Sequence, residues 1–66
     1  MKIILNGKTV DVEEGLSVAD LVKRRKFNSN VIIVEYNYEV IKKEAWAQTR
    51  LKEGDRLEVL QLVGGG

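Results

Sequence analysis

Gly64, Gly65 and Gly66 follow directly on a stretch, Arg56 to Val63, that reads as a long strand. Three consecutive glycines make a poor folded element, because glycine loses more conformational freedom on ordering than any other residue. As a tail they have one chemical use. A chain without Cβ atoms threads a narrow channel and lets another protein's backbone and a nucleotide approach closely, and three extended residues reach about 10 Å. The plain alternative is a frayed end or a glycine linker. The position straight after a strand favours the first reading, since the tail then leaves the body at a fixed point.

The other side-chain types narrow the chemistry. The 66 residues contain neither cysteine nor histidine. That removes a thiolate nucleophile, a disulfide framework, an imidazole base and the commonest metal ligands, so no metal site is expected. An enzyme built on this chain would have to work with carboxylates, Lys or Tyr, and the expectation is a protein that is not itself an enzyme. Glu13, Glu14, Glu53 and Asp55 read as solvated turn residues with no paired base, and none is assigned a catalytic role. The run Lys23-Arg24-Arg25-Lys26 reads as cations complementing a helix C-terminus. Without interleaved aromatics, and at a net charge of +1, it does not point to nucleic acid. Trp46 reads as core packing. No apolar run approaches the roughly eighteen residues of a membrane span, and Ile3-Ile4-Leu5 is too short for a signal peptide. A cytoplasmic setting is the expectation.

The elements that must position the tail are legible from periodicity and punctuation. Ile3 to Leu5 and Lys8 to Val12 form a hairpin around Asn6-Gly7, the pair that best tolerates the positive φ of a type I′ turn. Ser17-Val18-Ala19-Asp20 fits a capping box opening a helix over Val18 to Lys26. Leu16 and Leu21 stand at the spacing of a hydrophobic staple. Val31 to Tyr36 reads as a central strand, apolar on both faces. Asn37-Tyr38 turns into a short strand, Glu39 to Ile41. Residues 42 to 51 read as irregular, with one helical turn around Glu44 to Trp46, and Lys52-Glu53-Gly54-Asp55 as a polar turn.

A hairpin cannot bury its apolar face alone, and neither can a single helix. The economical solution is an α+β fold of the β-grasp type: a mixed sheet of four to five strands with one main helix packed on one face. The last strand lies in the middle, parallel to the first. The expected organisation is one domain over 1–63 followed by a flexible glycine tail over 64–66. Alternation places Ile3, Leu5, Ile32, Val34, Leu57 and Val59 toward the helix. Ile4, Ile33, Leu60 and Leu62 then face away, and with the last strand central the four are expected to adjoin as a partner-docking patch leading to the tail.

Taken together, the chain resembles the ThiS family, the ubiquitin-like sulfur carriers of thiamine biosynthesis. The resemblance rests on Asn6-Gly7, Ser17-Val18-Ala19-Asp20-Leu21, Glu35-Tyr36-Asn37, Trp46, Leu51-Lys52-Glu53-Gly54-Asp55-Arg56-Leu57-Glu58-Val59 and the ending Val63-Gly64-Gly65-Gly66. The chain departs from the family in Tyr38, where Gly is usual, and Lys42, where Pro is frequent. Both departures concern the hairpin after the third strand.

The resemblance implies a carrier whose functional group is the Gly66 carboxylate, with Gly64 and Gly65 as the tail that delivers it. It implies three partners: an adenylating enzyme of the ubiquitin-activating type, a sulfur-delivery enzyme carrying a persulfide, and thiazole synthase. ATP and Mg²⁺ would be used by the activating partner, with no cofactor resident on the carrier. Two alternatives stay open. One is a small subunit like that of molybdopterin synthase, which delivers sulfur to a pterin. The other is a β-grasp binding module whose tail is only a linker. Fold alone does not separate them.

Overall fold

The computed structural model describes residues 1–62, so the tail Gly64-Gly65-Gly66 and the domain boundary expected at Val63 fall outside the described residues. In chain order the elements are β1 (Lys2–Leu5), β2 (Lys8–Asp11), α1 (Val18–Arg24), β3 (Ile32–Tyr36), β4 (Glu39–Ile41), a 3₁₀ helix (Lys43–Gln48) and β5 (Arg56–Gln61). The five strands form one sheet in the order β2-β1-β5-β3-β4. β5 pairs parallel with β1 and antiparallel with β3. This is the ubiquitin-like β-grasp arrangement, with the last strand central.

Both tight hairpins follow from their turn residues. Asn6 and Gly7 take φ of 50° and 81°, and Asn37 and Tyr38 take 48° and 72°. Two successive positive φ values match the right-handed twist of the flanking strands. The Asn6 side chain also ties the first turn to the middle of β5, its Oδ1 accepting the Val59 amide at 2.7 Å.

The start of α1 is a reciprocal cap. The Asp20 amide donates to Ser17 Oγ at 3.1 Å, and the Ser17 amide donates to Asp20 Oδ2 at 3.2 Å. Two donors without intrahelical partners are thereby satisfied. The helix is shorter than expected, ending at Arg24 rather than Lys26. Lys26 takes φ 59°. Its amide bonds Lys23 O at 3.1 Å, and the Phe27 amide bonds Val22 O at 3.1 Å. These two bonds close a Schellman motif, with lysine where glycine is usual.

Other boundaries shift at strand ends. β3 starts at Ile32 and β2 stops at Asp11, although Val12 still exchanges 2.8 Å bonds with Met1. β5 stops at Gln61 rather than Val63. The segment after β4 is more regular than expected. Its 3₁₀ helix carries Trp46 into the core, where the indole N–H reaches Ile41 O at 3.4 Å.

The core lies between α1 and one sheet face. Ile3, Leu5, Ile32, Val34, Leu57 and Val59 are all buried there against Leu16, Val18, Leu21, Val22, Trp46 and Leu51. Among the described residues no helix is long and apolar enough to cross a membrane.

Candidate docking face and chain exit

β5 is the element that would deliver the glycine tail. Its paired neighbours β1 and β3 hold it on both sides, and just past its end the Leu62 amide donates to Val31 O at 2.6 Å. Leu62, the last described residue, therefore lies beside the start of β3. Gly64, Gly65 and Gly66 themselves lie outside the described residues.

The start of β5 is fixed by Asp55, which corrects the expectation of a solvated turn residue. Asp55 is only 9% exposed. Its Oδ2 accepts the Tyr36 hydroxyl at 2.7 Å and the Lys52 amide at 2.8 Å, and its Oδ1 accepts Asn37 Nδ2 at 3.3 Å. Asn37 also exchanges bonds with Arg56, its Oδ1 accepting the Arg56 amide and its own amide donating to Arg56 O, both at 2.8 Å. Burial pushes the Asp55 carboxyl up. The bonds from Tyr36, Lys52 and Asn37, with the Lys52 charge, more than offset this and hold it below the ordinary range. The partner effect on Tyr36 is larger: the bond to Asp55, with burial, raises its phenol to about 12. Asp55 is thus an ionised acceptor whose oxygens are occupied, and it serves the fold. The other three carboxylates are exposed: Glu13 pairs with Arg24 at 2.7 Å and Glu53 accepts the Lys2 amide at 2.8 Å. Among the described residues there is no group of three or more His, Cys, Asp and Glu placed to hold a metal.

The sheet face away from α1 carries the expected patch only in part. Leu60 on β5 sits directly opposite Ile33 on β3, and Leu60 and Leu62 are 47% and 53% exposed. Ile33 is half-buried rather than exposed. Ile4 does not join them. In the parallel β1–β5 pair it lies opposite Arg56, four residues from Leu60, or roughly 13 Å along the strand. The intervening surface is charged: Arg56 bonds Glu58 Oε1 at 2.8 Å and lies 4.3 Å over the Tyr38 ring. The expectation that all four residues adjoin is therefore corrected to a smaller patch of Ile33, Leu60 and Leu62. Sequence reasoning missed Val40 on β4, exposed on this face opposite Glu35. Its alternation with Glu39 and Ile41 carried the signal.

Comparison with known proteins meets this geometry. A sequence model of the ThiS family matches residues 3–66. This chain belongs to the ThiS family. At the level of the family it is a ThiS-like sulfur carrier of thiamine biosynthesis. The sulfur carrier protein ThiS of Bacillus subtilis is 35% identical over 63 residues, covering 94% of this chain and 96% of that one. The crystal structure of a thiamine biosynthesis protein (ThiS) from Geobacter metallireducens superposes with a TM-score of 0.88 at 38% identity, covering 100% of both chains. A thiazole synthase of Paramagnetospirillum magneticum is 32% identical over 66 residues, and there this ThiS-family chain spans 20% of the relative's length.

Proposed function

We propose that this ThiS-family chain carries sulfur as a thiocarboxylate on Gly66 and donates it to the thiazole ring of thiamine. The observation that carries the reading is the family match, which runs through Gly66 and not only over the folded body. The place of β5 between β1 and β3, with the Leu62 amide bonded to Val31 O just past its end, supports it, because the element that precedes the glycines is fixed in the sheet.

The chemistry follows from the carboxylate. At neutral pH it is ionised, with an ordinary pKa of about 3.5, and a poor electrophile. An adenylating enzyme of the ubiquitin-activating type, using ATP with Mg²⁺, joins it to AMP and releases pyrophosphate. A persulfide sulfur on a delivery enzyme then attacks the acyl carbon and expels AMP. A second thiol breaks the resulting S–S bond, leaving the thiocarboxylate on the carrier and a disulfide on the delivery side. Thiazole synthase takes the sulfur. The carrier supplies a handle and an address, and the partners supply the catalysis. ATP-dependent loading fits a cytoplasmic setting.

The docking face in this reading is Ile33, Leu60 and Leu62, with Ile4 as a separate outlying contact. The test is the intact mass of the chain after incubation with the activating enzyme, ATP, Mg²⁺ and a persulfide donor. The expected result is exchange of one oxygen for sulfur at Gly66, lost when Gly66 is deleted or extended. Unchanged ATP-dependent transfer by a chain extended beyond Gly66 overturns the reading.

A further inference from the structure

On the side of β5 that faces β1, the backbone ladder runs out before the strand does. The Ile4 amide donates to Asp55 O at 2.8 Å and the Asn6 amide to Leu57 O at 2.9 Å. A regular parallel ladder would next bring the Asn6 carbonyl to the Val59 amide. Asn6 instead takes φ 50° and turns the backbone into the hairpin toward β2. Its side-chain carbonyl stands in, Oδ1 accepting the Val59 amide at 2.7 Å. Val59 is buried, so its amide has no ready substitute for that acceptor. The β1–β5 register itself covers only Ile4 opposite Arg56 and Leu5 opposite Leu57. One carboxamide thus carries the two-sided hold on β5 from Leu57 to Val59.

Past Val59 the described chain is held from the β3 side. Leu60 and Gln61 pair with Ile33 and Ile32, and the Leu62 amide donates to Val31 O at 2.6 Å. Among the described residues, the Asn6 bond is the last brace on the β1 side before the glycines. Gly66 stands four residues beyond Leu62, so it lies within about 14 Å of Leu62 whatever path the chain takes. Motion at the end of β5 is passed on to the carboxylate. A misplacement of about 1 Å from the reacting geometry can cost on the order of a hundredfold in rate.

We propose that Asn6 is a positioning residue for sulfur loading: its side chain fixes the end of β5, and through it the point at which the activating enzyme receives the Gly66 carboxylate. This rests on the proposed carrier function. Two substitutions separate the side chain from the turn. Gly-Gly and Asp-Gly both suit the positive φ values of the Asn6-Gly7 hairpin turn. Asn6→Gly therefore removes the acceptor, Asn6→Asp keeps one, and both leave the hairpin in place.

Amide hydrogen exchange of the free full chain is the first test. Asn6→Gly is expected to speed exchange about tenfold at Val59, Leu60 and Leu62 and far less in α1, with Asn6→Asp close to the parent throughout. Initial rates of adenylation by the activating enzyme are the second. Asn6→Gly is expected to lower kcat about tenfold with KM within about twofold of the parent, because the docking face is untouched. Asn6→Asp should restore most of that loss. Ser17→Ala removes the acceptor of the Asp20 amide and so destabilises the chain at α1, away from β5; its kcat should match the parent's. Equal exchange at Val59, Leu60 and Leu62 in the parent and Asn6→Gly overturns the proposal whatever the enzyme does. So does a kcat for Asn6→Gly within about twofold of the parent, or an equal fall in Asn6→Asp or Ser17→Ala. A parent chain that is not adenylated at all overturns the carrier reading and this role with it, even where exchange shows the end of β5 braced by Asn6.

Discussion

The Tyr36 hydroxyl donates to Asp55 Oδ2 at 2.7 Å, joining the end of β3 to the residue just before β5. The same carboxylate closes its own turn through the Lys52 amide and holds Asn37, the first residue of the β3–β4 hairpin turn. One buried anion thus aligns the central strand, its antiparallel neighbour and the turn leading into them. The segments Glu35-Tyr36-Asn37 and Gly54-Asp55-Arg56, far apart in sequence, form one structural unit.

Replacing Asp55 tests that unit. Asp55→Ala leaves the Lys52 amide and the Tyr36 hydroxyl without their acceptor, and is expected to cost about 2–3 kcal/mol in denaturant unfolding. The folded carboxyl lies below its unfolded value of about 3.9. Its contribution is therefore complete above that value and fades as pH falls through the lower, folded one. The stability gap between parent and Asp55→Asn should stay constant near neutrality and close only in acid. A gap that persists unchanged in strong acid would assign the role of Asp55 to shape rather than charge.

Tyr36 gives the matching alkaline test. Its phenol is raised to about 12 from an ordinary 10.0, so the folded state holds the proton more tightly than the unfolded chain. The stabilisation is present in full below pH 10 and is lost as pH climbs toward 12. In a Tyr38→Phe chain, ultraviolet titration follows Tyr36 alone. The expected midpoint lies well above 10, falling to about 10 in denaturant. A native midpoint at the ordinary value would mean that the bond to Asp55 does not persist in solution.

The first hairpin, the cap of α1 and the inward faces of the strands are legible in the sequence because each depends on local signals: Asn6-Gly7, Ser17 with Asp20, and the alternation of Ile3, Leu5, Leu57 and Val59; the strand order follows instead from the need of hairpin and helix to bury their apolar faces together. Asp55 reads wrongly as solvated because its burial comes from Tyr36 and Asn37, nearly twenty positions away, and nothing in a Lys-Glu-Gly-Asp turn announces partners at that distance. Ile4 falls into the wrong company for a related reason. Alternation gives the face of a strand but not the offset between two parallel neighbours, and that offset puts Arg56 and Glu58 between Ile4 and Leu60. Lys26 reads as part of the helix because a lysine at a left-handed cap looks in sequence like one more helical residue.

Lys26 and Tyr38 both hold positive φ, at 59° and 72°, yet glycine should act differently at the two sites. The left-handed conformation costs a side-chain-bearing residue about 1–2 kcal/mol, of which the greater unfolded entropy of glycine returns part. Lys26 is exposed, so Lys26→Gly is expected to stabilise by about 0.5–1 kcal/mol. Tyr38 lies 4.3 Å beneath the Arg56 guanidinium. Losing that contact costs about 0.5–1 kcal/mol, so Tyr38→Gly should come out near neutral. Denaturation midpoints of the two variants decide it. A clear gain from Tyr38→Gly would show that the stacking contributes little.

The divided sheet face predicts unequal effects from one kind of substitution. Leu60 is 47% exposed opposite Ile33, so Leu60→Asp is expected to leave the fold within about 1 kcal/mol of the parent. If the carrier docks through this patch, the new carboxylate enters an apolar contact, and affinity for the activating enzyme should fall by about 2–4 kcal/mol. Ile4, 37% exposed and beyond the Arg56–Glu58 pair, lies outside the contact centre. Ile4→Asp should therefore weaken binding by less than about 1 kcal/mol, since rim positions contribute little. Equal losses from the two would show that the partner covers the whole face, charged pair included. A Leu60→Asp chain that unfolds would mean that Leu60 packs inward and the far-face assignment of β5 is wrong. Binding constants measured beside thermal midpoints separate these outcomes, because docking and folding respond to different sides of the same strand.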